Sequence, residues 1–144
     1  MYHVAVMKKS LGFIPAILFG TKTIESRWYV SRRAPWGKVT VGDVIYFKNV
    51  GELVSLKACV GRVEQYDLRP GDAQRILEKY GTRIGFSQKQ IAELSREYKT
   101  KKYCVLIFLE EVGTVPAFNI EKKGLGAMSA WMTMTKEEFE ERKL

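Results

Sequence analysis

The sequence predicts a mainly β fold with peripheral helices, an α+β arrangement in which the strands curl into a small barrel-like sheet. Short runs rich in β-branched and aromatic residues recur along the chain. No regular helical crossovers separate them, which argues against a doubly wound parallel sheet. One long run contains an internal glycine, Gly61, which is typical of a bulge or sharp bend in a small barrel.

The length of the chain bounds the number of domains. With 144 residues, we expect one domain spanning residues 1–144. Hydrophobic residues make up 46% of the sequence and charged residues 28%, values near the average for globular proteins. The composition therefore excludes an intrinsically disordered chain and predicts a core that needs neither disulfides nor metals.

The predicted strands are runs in which β-branched, aromatic and small apolar residues concentrate. They span residues 2–8, 23–30, 44–48, 53–66, 103–112, 115–120 and 130–133. The run 103–112 is the most hydrophobic and is predicted to lie centrally. Side chains alternate along a strand, so Glu25, Arg27 and Tyr29 should share one face of the run 23–30.

Four helices are predicted from capping residues and helix-stopping glycines. Their predicted limits are Ser10 to Gly20, about Gly71 to Gly81, Ser87 onward and Thr135 onward. At Ser87 the hydroxyl and Gln90 form the pattern of a capping box. The charged terminal segment 136–143 is expected to lie on the barrel as a helix; a protein partner there is the alternative.

Cysteine and histidine usage bears on redox state and metals. Cys59 and Cys104 both lie in apolar, strand-like runs. We expect two buried thiols in a reducing compartment, with a disulfide as the alternative. His3 is the only histidine, so no Cys/His cluster with metal-ligand spacing exists, and we expect neither a metal nor a cofactor.

The segment 8–19 resembles a secretory signal, because Lys8 and Lys9 precede the apolar run 11–19. That run contains Pro15 and lacks a small-x-small cleavage site. No apolar run reaches the roughly 18 residues that a membrane span needs. We therefore expect a cytoplasmic protein without a membrane partner, and the sequence leaves its oligomeric state open.

The net charge of +8 is unevenly distributed. Residues 1–50 contain eight Lys and Arg against two carboxylates, whereas residues 101–144 contain seven of each. Within the basic part, Trp36 lies close to Arg32 and Arg33. Guanidinium groups attract phosphates and flat aromatic faces stack on unpaired bases, so this mixture predicts contact with nucleic acid. The alternative is a solvated basic face whose aromatic side chains point into the core.

The octet G-T-K-T-I-E-S-R at residues 20–27 is the most informative motif. Gly20 ends a helix, Lys22 lies in the following turn, and the next strand presents Glu25 and Arg27 on one face. Three charged groups on an inward-looking face need partners, which are either one another or a ligand. A structural salt bridge among them is the alternative to a ligand site.

This octet resembles the G-x-K-x-x-E-x-R signature of the ASCH family and matches all four signature positions. The preceding strand and helix and the following long strand with two helices also resemble that family, so the resemblance covers most of the chain. It implies the PUA-like fold, a small pseudo-β-barrel. It also implies a basic cleft, lined by the motif, that binds RNA or a modified nucleobase.

Some members of this family are hydrolases that remove the acetyl group from N4-acetylcytidine. They are thought to use the motif lysine, a threonine three residues later and a downstream glutamate. Lys22 matches the lysine, Glu25 occupies the threonine position, and Glu64 is a candidate for the glutamate. A hydrolase that uses Lys22 with a carboxylate, Glu25, is therefore the alternative to a binding module.

The glycine-rich stretch 122–131 is predicted to complete the cleft, because glycines allow a ligand to approach the backbone closely. Trp131, at its end, is either a stacking surface for a base or part of the core. The full set of predicted ligand contacts is Gly20, Lys22, Thr23, Glu25, Arg27, Arg32, Arg33, Trp36, Lys123 and Ser129.

Overall fold

The computed structural model describes residues 1–126 and 129–144. In this part of the chain the strands are β1 (Tyr2–Met7), β2 (Ile24–Tyr29), β3 (Val44–Asn49), β4 (Val54–Asp67), β5 (Tyr103–Phe118) and β6 (Trp131–Met134). The helices are α1 (Phe13–Phe19), α2 (Asp72–Ile84), α3 (Gln88–Glu97) and α4 (Lys136–Arg142), with short 3₁₀ turns at Lys9–Leu11 and Tyr98–Thr100.

The strands form one mixed sheet in the order β2-β5-β4-β3-β1-β6. β1 and β3 pair in parallel, and the other neighbours pair antiparallel. Three register shifts bend the long β4–β5 ladder, one of them between Val60 and Arg62. The sheet therefore curls into a half-barrel, and both the bulge predicted at Gly61 and the mainly β fold with peripheral helices are confirmed.

Two predicted helix limits are wrong. Ser10 does not cap α1, because it lies inside the 3₁₀ turn and α1 begins after Gly12, whose φ is 66°. Gly81 does not end α2, which continues to Ile84 and ends at Gly85 with a φ of 107°. A Cβ at Gly81 would lie 2.6 Å from the side chain of Ile91, so this glycine allows α3 to pack closely against α2.

Two other expectations concern the third helix and the long strand. The capping box at Ser87 forms as predicted, with both of its hydrogen bonds present. The two strands predicted at 103–112 and 115–120 are one strand, β5. The chain passes the expected break through a bulge at Glu111, whose φ is 49°, and pairing with β4 continues beyond it.

The core has two parts on the curled sheet. The larger part packs α1, α2 and α3 against the strands, and Trp28 and Trp131 are buried in it. The smaller part surrounds Phe139 of α4, which stacks on Tyr46 with ring centroids 4.4 Å apart. Trp28 and Trp131 are therefore core residues, whereas Trp36 is only half-buried against the core.

Both cysteines are free thiols, as predicted, but only Cys104 is buried; Cys59 is half-buried, so the prediction of two buried thiols is wrong for Cys59. The register places Cys59 opposite Glu110, which lies six residues along β5 from Cys104. Six residues of strand span about 20 Å, far beyond the separation that a disulfide bridges. None of the helices in the described ranges is long and apolar enough to cross a membrane.

Candidate functional site

The turn between α1 and β2 buries the motif lysine completely. Gly20 makes this turn in the left-handed region, with a φ of 83°. The side chain of Lys22 is 0% exposed, and its Nζ donates to the carbonyls of Ile24 and Ile84, each at 2.7 Å, and to Glu25 Oε1 at 3.0 Å. Burial lowers the pKa of Lys22, and the Glu25 carboxylate acts against that change. Three acceptors around Nζ match the three N–H groups of an ammonium.

Glu25 is the centre of the motif and makes four short contacts. Its Oε1 also accepts the backbone N–H of Ser26 at 3.1 Å, and its Oε2 accepts from Arg27 Nη2 at 2.9 Å and Nε at 3.3 Å. Burial raises the pKa of Glu25, but the Lys22 and Arg27 cations outweigh burial and hold it below its usual value. The three side chains therefore form a charged cation–anion–cation group, which we call the ion triad.

Arg27 extends the ion triad across the gap in the half-barrel. Its guanidinium donates to the carbonyl of Ala130 at 3.3 Å, just before β6, and to that of Val6 in β1 at 3.4 Å. It also lies over the ring of Trp131, 5.1 Å from the centroid. Because β2 and β6 are opposite edges of the sheet, one side chain links the two edges where no backbone ladder joins them.

The open edge of β2 faces this gap. The N–H of Ser26 bonds to Glu25, and the carbonyl of Ile24 bonds to Lys22, so neither group joins the ladder to β5. Side chains of the motif therefore satisfy part of the free strand edge. By the alternation of the antiparallel ladder, the carbonyl of Ser26 points the same way.

A cavity of about 430 Å³ lies in the gap, between the open edge of β2, the end of β1 and α3. Its aromatic wall includes Phe13, Phe86 and Tyr98. The charged residues that line it are Lys8, Glu25, Arg27, Glu93 and Glu97. Three carboxylates and two cations do not make a basic surface, so the predicted basic character of the cleft is wrong for this cavity. We call this cavity the motif cleft.

The structure brings together one part of the predicted site. Glu25 and Arg27 line the motif cleft, and Lys22 lies behind Glu25 without reaching the cavity. Gly20 shapes the turn, and the hydroxyl of Thr23 accepts from Arg83 at 3.1 Å beside it. The motif is therefore one connected unit in space, as its spacing predicts.

The basic loop does not line the motif cleft. Arg32 pairs with Asp67 at 3.4 Å and lies over the rings of Trp36 and Tyr103. Arg33 lies over Tyr29. These residues surround the end of β2 that lies away from the motif cleft. The ligand contacts predicted for them are therefore not in the same cavity as the motif.

The described residues of the glycine-rich stretch, 122–126 and 129–131, also lie outside the motif cleft, and residues 127 and 128 are outside the described ranges. The carbonyl of Lys123 accepts from Arg142 in α4, and the hydroxyl of Ser129 donates to the carbonyl of Trp131. Glu64, the candidate second carboxylate of a hydrolase, accepts from Tyr80 at 3.5 Å and contacts Tyr66 and Arg62 on the face of β4, also away from the motif cleft.

Sequence reasoning missed the contribution of α3. Gln90, Glu93, Leu94 and Glu97 all line the motif cleft. They recur at intervals of three and four residues, the spacing of one helix face. That signal is in the sequence, but it indicates only a shared face and not what the face meets. No group of three His, Cys, Asp or Glu side chains within residues 1–126 and 129–144 is arranged to hold a metal ion.

Solved structures with the same fold cover nearly the whole chain. The ASCH protein of Zymomonas mobilis superposes with a TM-score of 0.70 at 20% identity, covering 96% of this chain and 91% of that one. A single-residue mutant of that protein superposes with a TM-score of 0.69 at 19% identity, covering 97% of this chain and 94% of the mutant. The N-terminal domain of McrB from Staphylothermus marinus superposes with a TM-score of 0.53 at 13% identity, covering 98% of this chain and 92% of that domain. No protein-family model and no curated protein sequence matches the chain. The chain therefore has the fold of the ASCH domain, a PUA-like half-barrel, along nearly its whole length.

Proposed function

We propose that this chain binds a nucleobase, either of RNA or of a modified nucleoside, in the motif cleft. One observation carries the proposal. The buried ion triad presents a carboxylate and a guanidinium at the wall of a 430 Å³ cavity that also has an aromatic wall. Apolar surface combined with fixed polar groups is the usual construction of a small-molecule site, and about 300–1,000 Å³ is its usual size.

The charges around the motif cleft favour a base over a phosphate. Glu93 and Glu97 add two carboxylates to that of Glu25, and carboxylates repel a phosphate. They accept hydrogen bonds from exocyclic amino groups and ring N–H groups, whereas arginine donates to ring nitrogens and carbonyls. A flat heterocycle carries both kinds of group on its edge, and its faces suit Phe13, Phe86 and Tyr98.

The ion triad also accounts for how such a site discriminates. Glu25 is held by four donors, so its position is set before any ligand arrives. Arg27 Nη1 has a second N–H that no acceptor within the described ranges takes, and the Ser26 carbonyl points to the same gap. A ligand that leaves buried polar groups unpaired binds much more weakly, so a fixed wall selects among bases.

The geometry gives the hydrolase alternative less support. All three N–H groups of Lys22 have acceptors, and Lys22 does not line the motif cleft. As a nucleophile it would have to lose a proton and leave the carbonyls of Ile24 and Ile84. Both oxygens of Glu25 are likewise engaged, which leaves it poorly placed as a general base.

The test is calorimetric titration with cytidine, N4-acetylcytidine, adenosine and guanosine, and with a ten-nucleotide RNA. We expect one of them to bind the wild-type chain. Glu93→Gln should weaken that binding and Leu94→Trp, which fills the motif cleft, should abolish it. Glu141→Gln, an exposed carboxylate on α4, is the matched control for Glu93 and should bind like the wild type.

Two results would overturn the proposal. The first is the absence of binding by every ligand of the panel at millimolar concentration. The second is binding that neither Glu93→Gln nor Leu94→Trp changes, with folding verified by circular dichroism. Chromatography of the N4-acetylcytidine sample after incubation tests the alternative. Release of cytidine by the wild-type chain that is abolished in Lys22→Met, with the variant verified as folded by circular dichroism, would favour the hydrolase.

A further inference from the structure

A second cavity, of about 540 Å³, lies between the start of α2 and the segment that follows α3. Its charged lining residues are Arg69, Lys99, Lys101 and Lys102, and no carboxylate side chain of the described residues lines it. The motif cleft, by contrast, has three carboxylates and two cations. We call the second cavity the basic cavity.

Within residues 1–126 and 129–144, none of the four cations of the basic cavity forms a salt bridge with a carboxylate. The Arg69 cation does contribute to lowering the pKa of Asp72, at the start of α2, but the Asp72 carboxylate accepts the backbone N–H of Arg69 and contacts the side chain of Arg75. Four like charges around one concavity create a positive potential that attracts an anion.

Backbone hydrogen bonds fix the segment that carries three of these cations. The N–H of Lys102 donates to the carbonyl of Tyr29 at 2.8 Å, and the carbonyl of Lys102 accepts from Leu68 at 2.8 Å. The N–H of Lys101 donates to the carbonyl of Tyr98 at 3.0 Å. The lysines therefore project from a backbone that is tied to the ends of β2 and β4.

The two cavities share one wall residue, Tyr98. Its ring stacks on Trp28, with centroids 4.6 Å apart, so Tyr98 is supported by the core. The two cavities therefore adjoin the same side chain, which places the basic cavity next to the motif cleft. The bond from Lys102 to the end of β2 also brings the basic cavity close to Tyr29, over which Arg33 lies.

We propose that the basic cavity binds phosphate groups of a single-stranded nucleic acid whose base occupies the motif cleft. This inference rests on the proposed function, because that function supplies the base. The charge contrast assigns the parts of the ligand: the carboxylate-rich cleft takes a base, and the carboxylate-free cavity takes the phosphates. The loop that carries Arg32 and Arg33 would extend the cationic surface for further phosphates of the same nucleic-acid strand.

The experiment measures how the affinity for a fluorescein-labelled ten-nucleotide RNA depends on salt, by fluorescence anisotropy. The variant is Lys99→Gln/Lys102→Gln, and the matched control is Lys57→Gln/Lys136→Gln, which removes two exposed lysines outside both cavities. Each phosphate contact contributes about 0.7 to the slope of log K against log salt for single strands, so the slope should become shallower by about 1.4. If the variant and the wild type bind the RNA equally at 1 M salt, this difference in slope means that the variant binds about 25-fold more weakly than the wild type at 0.1 M salt.

Two further arms separate this inference from the proposed function. Binding of the free nucleoside should be the same in Lys99→Gln/Lys102→Gln as in the wild type, because a nucleoside has no phosphate. If no nucleoside binds but RNA binding keeps the expected dependence on these lysines, the proposed function fails while the phosphate site stands.

The inference is overturned if the control variant changes the slope as much as the cavity variant, or if neither variant changes it. It is also overturned if inorganic phosphate competes at the basic cavity while the RNA does not bind there. That result would assign the cavity to a free anion.

Discussion

Replacing Lys22 by methionine tests whether the ion triad holds the half-barrel together. Methionine keeps most of the side-chain volume and removes the ammonium. The change leaves Glu25 with Arg27 as its remaining cationic partner and deprives the carbonyls of Ile24 and Ile84 of the Lys22 donor. Removing one partner of a buried ion pair costs about 3–5 kcal/mol, because the other charge stays buried.

The expected size of this effect is large for a chain of this length. A loss of about 4 kcal/mol corresponds to a fall in Tm of roughly 12 °C. In urea, with a slope of about 2 kcal/mol/M, the midpoint should fall by about 2 M. Urea denaturation followed by circular dichroism measures the free energy of unfolding directly.

Two comparisons make the result specific. Lys57→Met removes an exposed lysine from β4, and its free energy of unfolding should stay within about 0.5 kcal/mol of that of the wild type. In the double variant Lys22→Met/Glu25→Gln both charges are absent. Its loss of unfolding free energy should therefore be smaller, by up to about 3 kcal/mol, than the sum of the losses in the two single variants. A Lys22→Met variant as stable as Lys57→Met would refute the account of the ion triad.

Three further predictions concern titration and thiol access. Burial favours the protonated form of Glu25, but the Lys22 and Arg27 cations hold its pKa in the folded chain below 4.5. The ionised Glu25 therefore stabilises the folded state above about pH 4.5, and this contribution is lost as the pH falls through the lower pKa of the folded state. Glu25→Gln should accordingly show a shallower loss of stability in acid than the wild type, and equal slopes would contradict this. Burial lowers the pKa of His3 below 6.5, so NMR of this only histidine should show a midpoint below pH 6.5; a midpoint above it would contradict its burial. Iodoacetamide should leave the buried Cys104 unmodified in the native state, because burial also raises its pKa, and labelling at Cys104 without denaturant would count against the structure.

Local pattern was enough to predict the motif's geometry. A turn after a helix and the alternation of side chains along a strand bring Lys22, Glu25 and Arg27 together, and both signals involve only neighbouring residues. The capping box at Ser87 is local in the same way. Gly81 misled the prediction because its role depends on Ile91, which lies on a different helix.

The character of the cleft could not be predicted, because it depends on elements far apart in sequence. The excess positive charge lies in residues 1–50, but α3 brings Glu93 and Glu97 to face the motif. A different set of cations, none from residues 1–50, gathers in the basic cavity, where Arg69 meets Lys99, Lys101 and Lys102 only through the fold. A charge count along the chain indicates a preference for anions but not which cavity they enter.

The most direct test of the proposed nucleobase site is a ¹⁵N–¹H NMR titration with the nucleoside that binds most tightly. The account predicts that the largest shifts lie at the amides of Ser26 and Arg27 and in residues 93–98, which surround the motif cleft. Saturable binding that shifts other amides and leaves these unchanged would contradict it.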